Sequence, residues 1–165
     1  VLGTAEGGLK ITLYNINGLN PSSPSIDFLN EWFFKTMHHE FAHILHQTKN
    51  YSTDFNLIST DYQGPSWLNL ESDAVANKMG YVTCYASYSP DEDFVEIISN
   101  YVTHAKGYWE SVLATAGEEG GDKLARKFEI VRNYLQESWG IDIDKLRDIV
   151  QKRSANISQL DLKTL

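Results

Sequence analysis

The stretch His39-Glu40-Phe41-Ala42-His43 constrains this chain more than any other. Two histidines four residues apart on a helix present both imidazoles on one face, about 6 Å apart along the axis. That separation lets both reach one tetrahedral metal ion, and zinc is the ion this pattern selects. The glutamate between them is placed to act as general base on a water at the metal. The motif carries this meaning only on a helix, and residues 26–47 read as one. Leu29, Phe33, Met37, Phe41 and Ile44 recur at spacings of three and four and form an apolar stripe. At about 100° per residue, His39 and His43 fall opposite the centre of that stripe. One face is therefore expected to anchor the helix and the other to present ligands. Ser23 before Pro24 reads as N-cap and first helical residue, with Asp27 early in the helix.

At 165 residues the chain is long enough for one domain with a real core. Apolar residues make up 42% and charged residues 22%, a globular balance. The net charge of −8 argues against a nucleic-acid partner. Basic residues cluster around Lys123–Arg132 and Lys145–Arg153, but acids alternate with them, as on solvated helix faces. No apolar run is long enough to span a membrane. The sequence shows no signal peptide or initiator methionine, so a mature or trimmed form is expected. The single cysteine, Cys84, excludes an internal disulfide framework and a cysteine-based zinc site. It reads as a small buried apolar residue.

Lys10 to Ile16 partly alternates polar and apolar residues and reads as a strand. Gly18 to Ser25 is a loop, and residues 48–66 look mostly irregular. Leu68 to Met79 reads as a short helix ended by Gly80, and Tyr81 to Tyr85 as extended. Ser89-Pro90 starts a second long helix reaching about His104. Further helices are expected from Asp122 to Trp139, with Leu124, Phe128, Val131, Leu135 and Trp139 on one side, and from about Asp144 to Arg153. The expected class is α+β, helix-dominant, as one domain over residues 1–165. A lone strand cannot form a sheet, so further strands are expected within 50–88 or upstream of Val1.

A catalytic zinc site needs a third protein ligand and an open position for water. His46 lies about 10 Å along the helix from His39, too far to share a metal with it, and is better placed beside the site than in it. The metzincin pattern H-E-x-x-H-x-x-G-x-x-H is excluded, because Lys49 stands where its last histidine belongs. The remaining source is an acid on a later helix. Glu92 and Glu96 are four apart and share a face, so one can bind the metal while the other holds a ligand histidine through its free ring N–H. Ser89-Pro90-Asp91-Glu92 is also a capping box; if capping consumes Glu92, Glu96 is the ligand. Glu71 and Asp73 are weaker options, having no acid four residues later.

The segments His38–Gln47, Gly80–Ala86 and Ser89–Glu96 resemble the substrate import-associated zinc metallohydrolase lipoproteins of Bacteroidetes, as do Gly3–Gly8 and the Trp139–Asp142 region. The resemblance spans most of the chain. It implies a zincin-like, gluzincin-type catalytic domain with one Zn2+. It also implies a lipidated precursor in the cell envelope, periplasmic or at the outer membrane, beside nutrient-uptake machinery. The spacing from Tyr85 to Glu92 is similar to that in the catalytic domain of anthrax lethal factor, where a tyrosine seven residues before the ligand glutamate sits near the metal. That likeness implies Glu92 as third ligand and Tyr85 as a helper at the oxyanion or leaving group.

The expected function is thus a metallopeptidase acting on a peptide or protein substrate. His39, His43 and Glu92 would bind zinc, Glu40 would be the base, and Glu96 and His46 would stand behind the ligands. Two rivals remain at this level. One is a non-catalytic, metal-stabilised accessory module of an uptake system; Glu40 argues against it, since a structural metal site has no use for a base. The other is a zinc hydrolase of a non-peptide amide, whose metal chemistry is the same.

Overall fold

The computed structural model describes residues 2–18, 20 and 25–159. Two short strands come first, β1 (Gly3–Glu6) and β2 (Lys10–Leu13), paired antiparallel with Gly3 opposite Leu13 and Glu6 opposite Lys10. Gly7 and Gly8 both take positive φ and Leu9 N–H donates to Glu6 O at 3.1 Å, closing a tight turn whose handedness suits the strand twist. The expected strand at 10–16 is therefore present but shorter. Its partner lies within the chain at its N-terminal end, not upstream of Val1, and no strand occurs among the described residues of 50–88.

The motif helix is built in three parts. Helix α1 (Ile26–Leu29) is capped by Ser25, whose hydroxyl accepts the N–H of Phe28. Ser23 and Pro24, expected at this cap, lie outside the described residues. One wide turn of π type, Asn30–Phe34, leads into α2 (Lys35–Thr48). That turn corrects the expected stripe. A π turn holds an extra residue and so rotates everything after it relative to a regular helix. Leu29 is buried, but Met37 and Phe41 are exposed. The inward face of α2 instead carries Thr36, His39, Glu40, Ala42, Leu45 and His46, so the ligand-bearing side is itself packed.

A short helix α3 (Phe55–Ile58) and a 3-10 turn over Gly64–Asn69 precede α4 (Asp73–Met79), which Gly80 ends in the left-handed conformation at φ 93°. The expected helix from Leu68 thus starts later, at Asp73. The expected extension over 81–85 is also corrected, because side chains take the groups a sheet would use. The Asn77 amide donates to the carbonyls of Tyr81 and Val82, and the Asp73 carboxylate accepts the N–H of Cys84. Tyr85–Tyr88 then forms a 3-10 turn.

Helix α5 (Pro90–Thr103) is the centre of the fold: every residue from Asp93 to Thr103 is buried. Helix α6 (Gly107–Trp139) runs past it and is broken at Gly117, where the backbone leaves helical geometry. Leu124, Phe128, Val131 and Leu135 face the core as expected. The part before Asp122 escapes sequence reading because it is glycine-rich. Gly120 is there for contact: a Cβ would fall 2.3 Å from the carbonyl oxygen of Asn77, so α4 lies directly on the α6 backbone. Helix α7 (Ile143–Ala155), capped by Asp142, closes over α5. The β1–β2 hairpin lies against α2. Among the described residues no helix is long and apolar enough to cross a membrane.

Candidate metal centre

Helices α2 and α5 pack against each other and place their polar turns face to face. His39 Nε2 lies 3.1 Å and His43 Nε2 3.4 Å from the same oxygen, Glu92 Oε2. Single donor atoms of His39, His43 and Glu92 all lie within 4.8 Å of one another. Tetrahedral zinc with bonds of about 2.0–2.1 Å sets its ligand atoms about 3.3 Å apart. Two nitrogens and one carboxylate oxygen at these separations fit such an ion, and the donor types are those zinc takes.

The Glu92 carboxylate is not spent on the helix cap. Ser89 does cap α5, its hydroxyl accepting Glu92 N–H at 3.3 Å. The Glu92 carboxylate turns to the histidines instead of back to the Ser89 backbone. Despite burial, hydrogen bonds from His39 and His43 hold that carboxyl down to about 2.

Glu96, one turn further, faces His39 from the other side, with Oε1 2.8 Å from Nδ1. Its second oxygen accepts from Thr83 Oγ1 at 2.7 Å and from Asn100 Nδ2 at 3.1 Å. This fully bonded carboxylate leaves His39 Nε2 facing Glu92. Burial opposes charge on His39, but the bonds to Glu92 and Glu96 outweigh it and raise the imidazole to about 10. His46 is brought to the site through His43: His43 Nδ1 and His46 Nε2 are 2.8 Å apart. Burial keeps His46 below its ordinary value, which favours a neutral ring beside His43. Its ring is wedged edge-on against Tyr51 and Phe94.

Glu40 is buried, and burial foremost raises its carboxyl, against the opposing pull of His39 and His43. Tyr85 lies against His39 with ring centroids 5.9 Å apart. Burial and the neighbouring Glu92 push its phenol up, so it stays protonated and able to donate. Glu71 is exposed, Asp73 is spent on the Cys84 backbone, and neither joins the cluster. His104 caps the far end of α5 and stacks on Tyr108, away from the cluster.

Several residues of the site have no signature in the motif itself. Strand β1 supplies Gly3, Thr4 and Ala5 to the wall of a cavity of about 300 Å³ that also holds His39, Glu40, His43 and Glu92. Gln47 ties the hairpin down, accepting Gly8 N–H at 2.8 Å and donating to Ala5 O at 3.5 Å. Gln47 and Asn100 were findable, each four residues after a site residue on its helix. Thr83 carried no signal. Gly3 would have, once β1 was read, since glycine in a strand marks close approach. A Cβ on Gly3 would fall 2.6 Å from Glu40 Cγ and 2.7 Å from Oε1. Gly3→Ala is therefore expected to cost about 1–3 kcal/mol by overpacking. The cost should shrink to a small residue in a Glu40→Ala background. Denaturation of the four proteins of that cycle measures the coupling, and equal costs in both backgrounds would remove the contact.

A His-His-Glu cluster beside a buried glutamate, open to a cleft, offers the nitrogen and oxygen donors that zinc takes. Residues 1–144 match the family described as "Putative zinc-binding metallo-peptidase", and the chain belongs to that family. The fold also matches the crystal structure of a protein titled a "putative zinc-binding metallo-peptidase" from Bacteroides caccae, with 44% identity and a TM-score of 0.83. The match covers 98% of this chain and 61% of that one, so the chain spans about three fifths of its length. No curated protein matches the chain.

Proposed function

We propose that the chain is the catalytic domain of a gluzincin-type zinc peptidase, with residues 1–165 as one zincin-like unit and His39, His43 and Glu92 as the metal ligands. The observation that carries this is the convergence of His39 Nε2 and His43 Nε2 on one oxygen of Glu92, with Glu40 free of the cluster beside them. When bound, the ion supplies Lewis acidity, lowering the pKa of water towards ~7 and polarising the scissile carbonyl. Glu40 takes the proton of the attacking water and delivers it to the leaving amine; its raised carboxyl suits a group that must both accept and return a proton. Tyr85 donates its hydroxyl hydrogen to the developing oxyanion. Glu96 and His46 fix the rings of His39 and His43 by holding their other nitrogens. The edge of β1 that does not pair with β2, beside the cavity, receives the substrate as an added strand.

The resemblance of the motif segments to the import-associated lipoproteins supports a finer reading. The domain would belong to an envelope lipoprotein acting beside outer-membrane uptake machinery, on peptides or proteins arriving there.

Zinc affinity tests the ligand set. One equivalent is expected per chain. Glu92→Ala should remove measurable uptake, whereas Glu96→Ala should weaken binding by about 10–100-fold. The reverse order would make Glu96 the ligand, and a protein that takes up no zinc would overturn the proposal.

A further inference from the structure

A second cavity, of about 450 Å³, lies beside the metal centre on the side of His39 and Glu96. It shares Gly3, His39, Glu40 and Tyr85 with the metal cavity, so the two adjoin along one cleft. The size falls within the roughly 300–1,000 Å³ of pockets that enclose a ligand group. Leu2, Trp67 and Cys84 give it apolar surface away from the metal, with Lys35, Thr36, Asp73 and Thr83 completing the wall. Trp67 stands edge-on to Tyr85 at 5.1 Å, and Tyr85 lies against His39, so one aromatic wall leads from the cavity to a ligand ring. Burial and the adjacent Asp73 push the Cys84 thiol up to about 11, which keeps it neutral.

Apart from Glu40, which the mechanism uses as base, the acids and the lysine at this cavity already have partners. Glu96 is bonded to His39, Thr83 and Asn100. Lys35 pairs with Glu31 at 2.9 Å, and Asp73 accepts the Cys84 N–H at 2.6 Å. A charged guest would lose water without gaining a dedicated counter-ion. An apolar guest would lose only water. Strand β1 and Leu2 just before it border both cavities, with Leu2 and Gly3 on this one and Gly3 to Ala5 on the other. An extended peptide along β1 advances about 3.3 Å per residue. With its scissile carbonyl at the metal, a residue beside that bond comes over this cavity.

We propose that this cavity is a specificity pocket that takes the large apolar or aromatic side chain of a substrate residue flanking the scissile bond. The proposal rests on the peptidase reading above. Two peptide hydroxamates, alike except for a benzyl or a methyl side chain at one position, test it without turnover. Their affinities for the zinc-loaded protein are measured by calorimetry. The benzyl compound is expected to bind about 10–200-fold more tightly. Trp67→Ala should erase most of that preference while the methyl compound binds as before, and Trp67→Phe should restore much of it. Equal affinities for the two compounds would overturn the pocket and leave the zinc site standing. So would a preference that Trp67→Ala leaves unchanged. If neither hydroxamate binds a protein shown to hold zinc, the peptidase reading falls and the pocket with it. Digestion of a peptide library supplies an independent arm: cuts without a large apolar residue on either side would also overturn the proposal.

Discussion

Glu40→Gln is expected to lower peptide hydrolysis by about 10²–10⁴-fold while the protein still takes up one zinc. Glutamine keeps the size and shape of the side chain but cannot accept the water's proton. The donor atoms that converge are those of His39, His43 and Glu92, so the ion does not depend on Glu40. Burial is the main force on the Glu40 carboxyl, so a neutral amide there should also leave the fold as stable or slightly more so. A fall of this size is about 3–5.5 kcal/mol of lost transition-state stabilisation, well beyond what a small shift in substrate binding would give. The measurement is kcat on a peptide cut by the wild type, with zinc content determined on the same sample. Unchanged turnover would remove Glu40 as base. Lost turnover with lost zinc would instead make it part of the metal site.

Much of the candidate metal site is readable in the sequence because its residues fall at short helical spacings. His39 to His43 and Glu92 to Glu96 are each four apart, and the structure sets the two pairs face to face. Lys49 and the helical rise were enough to discard the metzincin set and to keep His46 out of the cluster. What could not be read depends on contacts between distant segments or on irregular backbone. The π turn over Asn30–Phe34 shifts the phase of α2, so the apolar stripe of a regular helix points to the wrong buried face. Strand β1 is four residues long and gains its meaning from β2, α2 and the clash a side chain at Gly3 would make with Glu40. Thr83 reaches Glu96 only because Asn77 and Asp73 bend the chain after α4. The capping box at Ser89 was ambiguous for a physical reason. One glutamate can serve a helix end or a metal, and which one prevails depends on what lies opposite.

Lys127→Met is expected to destabilise the protein by about 3–5 kcal/mol, because it strands a buried charge. The ammonium has no exposure and lies 2.6 Å from Asp93 Oδ2, which is equally buried. It also donates to Gly80 O at 2.7 Å and sits 4.2 Å over the Tyr81 ring. One side chain of α6 thereby closes the end of α4 and anchors the first turn of α5. Burial pulls lysine and acid towards their neutral forms, and their mutual contact resists it. Methionine fills similar space but answers none of these groups. Asp93 would keep only the Tyr62 hydroxyl, and its other oxygen already lacks a partner. For a chain of this size the cost corresponds to a fall in Tm of roughly 6–20 °C. Replacing both partners by apolar residues, as in Lys127→Met with Asp93→Leu, should recover most of the loss, since the desolvated charge goes with its counter-ion. Asp93 adjoins Glu92 in the same turn, so zinc affinity should fall in the single variant and recover in the double one. Urea denaturation and zinc titration of the three proteins measure both effects. A cost below about 1 kcal/mol in the single variant would show that water or a neighbouring group takes over the lysine's part, and that the turn carrying Glu92 is held by packing alone.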